Sequence, residues 1–175
     1  YGLTVNSQVD ERYHVEKATR AACAFFKESY RKFGSWTLAA ASFNYGRSAL
    51  NRQLNRQGAD SYYNLILNQE TARYIYRILA LKLITNDPEA YGFHIRPQDL
   101  YYPIPSYEVE VDTTVNDFAA FAKAHSINYK YLKRLNPWLR ESYLKNPSGQ
   151  TYHIKIPVEG ERDYRKILEA NIDSI

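Results

Sequence analysis

One cysteine, no methionine, seven glycines and seven prolines in 175 residues leave several protein classes with nothing to build on. A lone Cys23 makes neither an internal disulfide framework nor a cysteine metal centre. Gly and Pro this sparse exclude collagen-like and low-complexity chains. At 45% hydrophobic residues the chain is too apolar for a disordered one. No apolar run approaches the roughly 20 residues that span a bilayer. Charge of one sign is also scarce: 23 basic residues stand against 19 acidic, net +4, with the signs interspersed. A nucleic-acid binder concentrates Lys and Arg in a stripe, so no nucleic-acid partner is expected. Neither a Met nor a signal-like segment opens the chain at Tyr1, which reads as a mature or trimmed fragment.

What is abundant is tyrosine, 17 of them. A flat apolar ring with a hydroxyl at its tip suits helix packing and wet carbohydrate grooves alike. Residues 1–93 read as helical. From Val15 to Phe33, Ala18, Ala21, Ala22, Phe25, Phe26 and Tyr30 recur at three- and four-residue steps, the stripe of an amphipathic helix. Gly34 ends it and Ser35 sits where an N-cap belongs. The small residues that follow Trp36 predict a helix buried mid-bundle, broken at Gly46. Arg47 to Gln57 predicts a surface helix closed by Gly58. Asn68 caps a helix over 69–85 whose apolar face holds Ala72, Ile75, Tyr76, Leu79, Ala80 and Leu83.

Residues 94–106 carry Pro97, Pro103 and Pro105 without periodicity and read as a linker. Residues 107–112 and 151–157 alternate as half-buried strands. Between them lie two helices, one capped by Asp112, Thr113 or Thr114, the other over Tyr129 to Leu135. This order predicts a small α+β module over 107–158, followed by a helical tail over 159–175. The fold class is therefore mainly α, with a small strand–helix–helix–strand unit behind it.

Catalytic sets are absent. There is no P-loop, dinucleotide fingerprint or nucleophile elbow, and His14, His94, His125 and His153 show no metal-ligand spacing. No metal and no cofactor are expected. Cys23, beside Phe26, reads as a small buried hydrophobe. Acid–base chemistry needs a carboxyl held protonated in an apolar cleft. Glu11 neighbours Asp10 and Arg12, Glu28 neighbours Lys27 and Arg31, Glu70 lies in a helix's first turn, and Glu108 and Glu110 alternate outward. None has a reason to stay protonated near neutral pH.

Five stretches stand in a telling order: Tyr1–Asn6, Val9–Arg12, Glu16–Ala22, Phe33–Ala40 and Ser42–Gly46. In that order they resemble the lytic murein transglycosylases, above all the membrane-bound type D group with its lysozyme-like domain. Leu132–Leu139 and Tyr152–Pro157 resemble a divergent LysM module, with Val111–Thr114 in place of the usual Gly-Asp-Thr-Leu. The resemblance implies the C-terminal part of a lysozyme-like helical domain over residues 1–93 and a LysM-like module after the linker. It implies cleavage of the bond between N-acetylmuramic acid and N-acetylglucosamine with a 1,6-anhydro product. The family's acid Glu is expected upstream of Tyr1, since its Glu-Ser and Gly-Leu-x-Gln words are not found here, so this chain alone is expected to be inactive.

The family's Ala-Tyr-Asn falls on Ser42-Phe43-Asn44, and its late-helix Tyr falls on Tyr74. Asn44, Tyr74 and Phe43 are thus the substrate-side candidates, with Phe43 lacking the family's hydroxyl. In the LysM-like part, Thr113, Thr114, Asn136 and Trp138 fall where glycan is bound. The implied partners are peptidoglycan glycan strands, and the implied location is the periplasm or outer membrane, with an anchor left to a missing N-terminus. A truncated helical domain also invites self-association through exposed apolar surface. The other class of reading is a non-catalytic glycan-binding or scaffold protein with a decayed active site.

Overall fold

The structure is a computed structural model that describes residues 1–96 and 99–158. The chain forms two compact units. One comprises Tyr1 and Thr19–Ile95, the other Gly2–Ala18 and the chain from Arg96 on.

In the first unit, helices α1 (Val15–Phe33), α2 (Trp36–Tyr45) and α3 (Arg47–Gln57) follow one another closely, and a longer segment with a 3-10 turn at Tyr62–Asn64 leads to α4 (Gln69–Asn86). The division between units falls inside α1, after Ala18. The local rules act as expected. Ser35 accepts from the Leu38 N–H, Asn68 accepts from the Thr71 N–H at 2.8 Å, and Gly58 closes α3 in the left-handed region at φ 62°. Leu38 to Ser42 are all buried, because small side chains let α3 and α4 approach α2 closely. Leu50, Tyr62 and Ile75 complete this core, with Phe26, Phe33 and Leu54 packed against it.

Three expectations for this half need correction. Residues 2–14 are not helical beyond a single 3-10 turn at Glu11–Tyr13. Cys23 is exposed, not buried. Its neighbours one turn away along α1 are Thr19, Arg20 and Lys27, so it shares their hydrated face. The apolar face of α4 is covered only at Ile75. Beyond it, Ile78, Leu79, Leu81 and Leu83 are 41–64% exposed. Periodicity marks a face that prefers burial, but what lies against it is decided elsewhere in the chain.

In the second unit, β1 (Ser106–Val111) pairs antiparallel with β2 (Tyr152–Pro157), from Ser106 opposite Pro157 to Val111 opposite Tyr152. Between them run α5 (Phe118–Ala124) and α6 (Tyr129–Leu135), α5 packing on α6 and α6 on β2. The cap of α5 is Asp117, whose carboxylate accepts from the Ala119 and Ala120 N–H groups. The cap therefore lies three to five residues beyond the expected Asp112, Thr113 or Thr114. Phe118, Leu132, Leu139, Leu144, Ile154 and Ile156 are the buried centre. Val9 joins them at 0% exposure: the 2–14 segment lies along the chain after α6, with Asp10 N–H donating to Trp138 O at 2.8 Å and Arg140 N–H to Gln8 O at 2.7 Å. The helical tail expected over 159–175 lies outside the described residues.

Candidate functional site

The end of α2 and the start of α4 bring the first set of candidates to one place. Asn44 donates from Nδ2 to Glu70 Oε1 at 3.2 Å and accepts at Oδ1 from Thr71 Oγ at 2.7 Å. Thr71 is fully buried, and the Tyr62 hydroxyl donates to the carbonyls of Thr71 (3.0 Å) and Ala72 (2.7 Å). Asn44 thus ties two helix ends together with an amide whose edge remains half-exposed. Tyr74 is half-buried against the same core, and among the described residues no hydrogen bond joins it to Asn44.

Phe43 points to the α1 side. It stacks on Phe26 with centroids 5.0 Å apart, meets Phe25 edge-on at 5.3 Å, and remains 46% exposed. Arg47 lies over the Phe25 ring, 4.0 Å from its centroid. Its guanidinium donates to Glu28 (3.0 Å), to the Tyr1 hydroxyl oxygen (2.6 Å), to the Phe25 carbonyl (2.9 Å) and to the buried Ser29 hydroxyl (2.8 Å). The Tyr1 hydroxyl in turn donates to Glu28 at 2.6 Å. That bond, and then Arg47, hold the Glu28 carboxyl below the usual carboxylate range. The same bond pushes the Tyr1 hydroxyl up. Sequence neighbours suggested Lys27 or Arg31 as partners of Glu28, but the partner is Arg47, 19 residues on. No spacing rule links these positions, so the sequence carries no signal that Tyr1, Phe25, Arg47 and Glu70 gather around the candidates.

In the second unit a groove of about 550 Å³ runs beside the β1–α5 loop, lined by Thr113, Thr114, Val115, Asn116 and Phe121 among others. Thr113 and Thr114 are exposed, and the Thr114 hydroxyl accepts from the Asn146 N–H at 3.1 Å. Asn136 and Trp138 lie elsewhere, in the interior. Asn136 is fully buried. It donates to the carbonyls of Leu132 (2.9 Å) and Lys155 (2.8 Å) and accepts from the Lys155 N–H (2.8 Å). Trp138, 3% exposed, stacks between Tyr152 at 5.9 Å and His14 at 6.0 Å. The structure therefore brings the two threonines to a groove and gives the asparagine and tryptophan internal partners.

Among the described residues, every carboxyl that departs from its ordinary range moves down. Glu11 is nearly buried, which raises it, but Lys17 and the Thr4 N–H (2.7 Å) outweigh that cost. Asp10 is lowered by Arg12 at 2.6 Å. Glu16 is lowered from 4.5 to about 2, chiefly by the Lys155 ammonium. None of these is a proton donor at neutral pH. A depressed carboxylate contributes stability above its unfolded value and loses it as pH falls through the folded one. All three belong to the second unit, so its melting temperature should hold from pH 7 to about 4.5 and fall progressively towards pH 2. Calorimetry across that range checks this, and a melting temperature unchanged at pH 3 counts against it. Among the described residues no group of His, Cys, Asp and Glu is placed to hold a metal ion.

Comparison with known proteins finds a similarity in each part of the chain. Residues 1–66 match the transglycosylase SLT domain family. Residues 107–160 match the soluble lytic transglycosylase C-terminal LysM-like domain. Over 97% of its length the chain is 27% identical to the membrane-bound lytic murein transglycosylase D of Escherichia coli strain K12, and equally to that of Escherichia coli O6:H1 strain CFT073. It spans 38% of the length of these curated relatives. The resemblance read from the ordered sequence words is borne out, as is the helical domain with a small α+β module. No helix among the described residues is long and apolar enough to cross a membrane.

Proposed function

We propose that this chain is the glycan-holding part of a peptidoglycan lytic transglycosylase, with the proton-transferring glutamate contributed by sequence outside these 175 residues. Residues 1–93 are read as the C-terminal portion of the lysozyme-like domain, and 107–158 as a LysM-like module to which the 2–18 segment adds. The residues 94–106 are the linker between them. The observation that carries the reading is that the two parts of the chain match transglycosylase families one after the other, while among the described residues every shifted carboxyl is held ionised. A glycosidic oxygen needs a proton donor near neutral pH, and an ionised carboxylate cannot supply one. The exposed apolar face of α4 supports the same view, since further helices of the domain would cover it.

In this reading Asn44 and Tyr74 face the substrate through an amide and a phenol, and the exposed Phe43 ring offers a stacking surface. Peptidoglycan strands are the partner, and the cell envelope, periplasmic or outer-membrane, is the location. Incubating the chain with purified peptidoglycan is expected to give binding without 1,6-anhydro-muropeptides. Anhydro product from the chain alone overturns the placement of the acid, and failure to sediment with peptidoglycan overturns the glycan reading. In the LysM-like groove, Thr113→Ala with Thr114→Ala should weaken binding of N-acetylglucosamine oligomers about tenfold. Stability should stay within about 1 kcal/mol, because both side chains are exposed.

A second reading is favoured by Phe43 itself. A phenylalanine where the family carries a tyrosine removes a hydroxyl from the cleft, as expected of a non-catalytic glycan-binding or scaffold protein. Reading the gene upstream of Tyr1 separates the two, since a Glu-Ser word followed by Gly-Leu-x-Gln supports the enzyme.

A further inference from the structure

The 2–18 segment creates a second groove in the C-terminal unit that neither the family matches nor the sequence words assign. Tyr13 and His14, the approach to β1 at Pro103 and Ile104, and the end of α6 at Arg134 and Leu135 enclose about 270 Å³. That volume sits just under the roughly 300–1,000 Å³ of ordinary small-molecule sites, so it suits a chain end or two small residues. One part of the wall is apolar, with Val15, Ile104, Leu135, Pro137 and Trp138 in it, and the rest carries charge.

The charges in this groove are unequally satisfied. Glu16 is spent: Oε1 is held by the Lys155 ammonium, and Oε2 lies 3.1 Å from His14 Nδ1. Lys155 is fixed in turn, because Asn136 clamps both its backbone N–H and its carbonyl. Arg134 is different. It is exposed at the groove and has no ion pair or hydrogen bond among the described residues. A guanidinium left over beside an apolar wall is the complement of a carboxylate on a short apolar peptide, since its planar fork holds both carboxylate oxygens.

We propose that this groove binds the carboxylate-bearing stem peptides of peptidoglycan, with Arg134 gripping the carboxylate and the apolar wall accepting the small side chains beside it. The proposal rests on the peptidoglycan reading above. The groove shares no lining residue with the one at Thr113 and Thr114, so glycan and peptide have separate places on one module. Two weak contacts on one polymer then reinforce each other without any new bond.

Trp36 and Trp138 are the two tryptophans of the chain, so Trp36→Phe leaves Trp138, at the groove, as the only indole reporter. In that background the whole chain is titrated with the free tetrapeptide L-Ala-γ-D-Glu-meso-diaminopimelate-D-Ala, with the same peptide fully amidated, and with chitotetraose. The free tetrapeptide is expected to change Trp138 emission saturably, and the amidated one to bind at least about tenfold more weakly. Arg134→Ala should weaken the tetrapeptide to the same degree and leave chitotetraose unaffected. Arg134→Lys should fall between, keeping the charge and losing the fork. No saturable response to the tetrapeptide at millimolar concentration, or equal binding by R134A, overturns the proposal. If chitotetraose binds while the tetrapeptide does not, the peptide groove fails and the glycan reading stands. If peptidoglycan itself is not bound, the wider reading has failed, and the tetrapeptide titration still decides the groove.

Discussion

Trp138→Ala should destabilise the C-terminal unit by about 3–5 kcal/mol, the cost of deleting a large buried aromatic and leaving a cavity. The ring is 3% exposed and stacks between His14 and Tyr152, so it holds the 2–18 segment and β2 against the same core. At roughly 4–8 °C per kcal/mol for a domain of this size, the melting temperature of that unit should fall by more than about 10 °C. Trp138→Phe keeps a ring in place and should cost appreciably less. A sugar-stacking tryptophan behaves in the opposite way, because its removal weakens glycan binding and leaves the melting temperature alone. Thermal denaturation followed by circular dichroism, beside chitotetraose binding, separates the two roles.

Asn136→Ala should cost about 3 kcal/mol by a different route. The side chain makes three bonds inside the protein, and its loss leaves the Lys155 N–H and carbonyl without it in a buried place, while the Leu132 carbonyl keeps only the Asn136 backbone N–H. Asn136→Asp should not rescue it. A carboxylate can still accept from the Lys155 N–H, but its second oxygen then faces the carbonyls of Leu132 and Lys155 that the amide nitrogen had satisfied. If N136A instead melts like the parent and loses glycan affinity, the internal role given to this residue is wrong.

With Asn136 and Trp138 engaged internally, the groove beside the β1–α5 loop falls to Thr113 and Thr114, exposed hydroxyls on a loop pinned by Asn146. In the helical unit, polar side chains gather where α2 ends and α4 begins. Asn44 there is oriented by Glu70 and Thr71. Its amide is held in place before any ligand arrives, which lowers the ordering cost of binding.

Much of the architecture was legible from residue order alone. The stripe from Ala18 to Tyr30, the Ser35 and Asn68 caps, the small residues of α2, the Gly58 stop and the two alternating strands are local features. Their causes act over three or four residues, through helix periodicity, orphan N–H groups and strand pleating, and the structure follows them closely. The family likeness was legible too, because ordered words survive at 27% identity. Tertiary structure alone decided the rest: that Val9 enters the C-terminal core, that Glu28 pairs with Arg47, that Cys23 meets solvent, and that Asn136 and Trp138 turn inward. Each of those depends on which surfaces from distant parts of the chain fit together. A side chain's neighbours along the sequence carry no record of that choice, because burial and hydrogen-bond satisfaction are settled only when the elements pack.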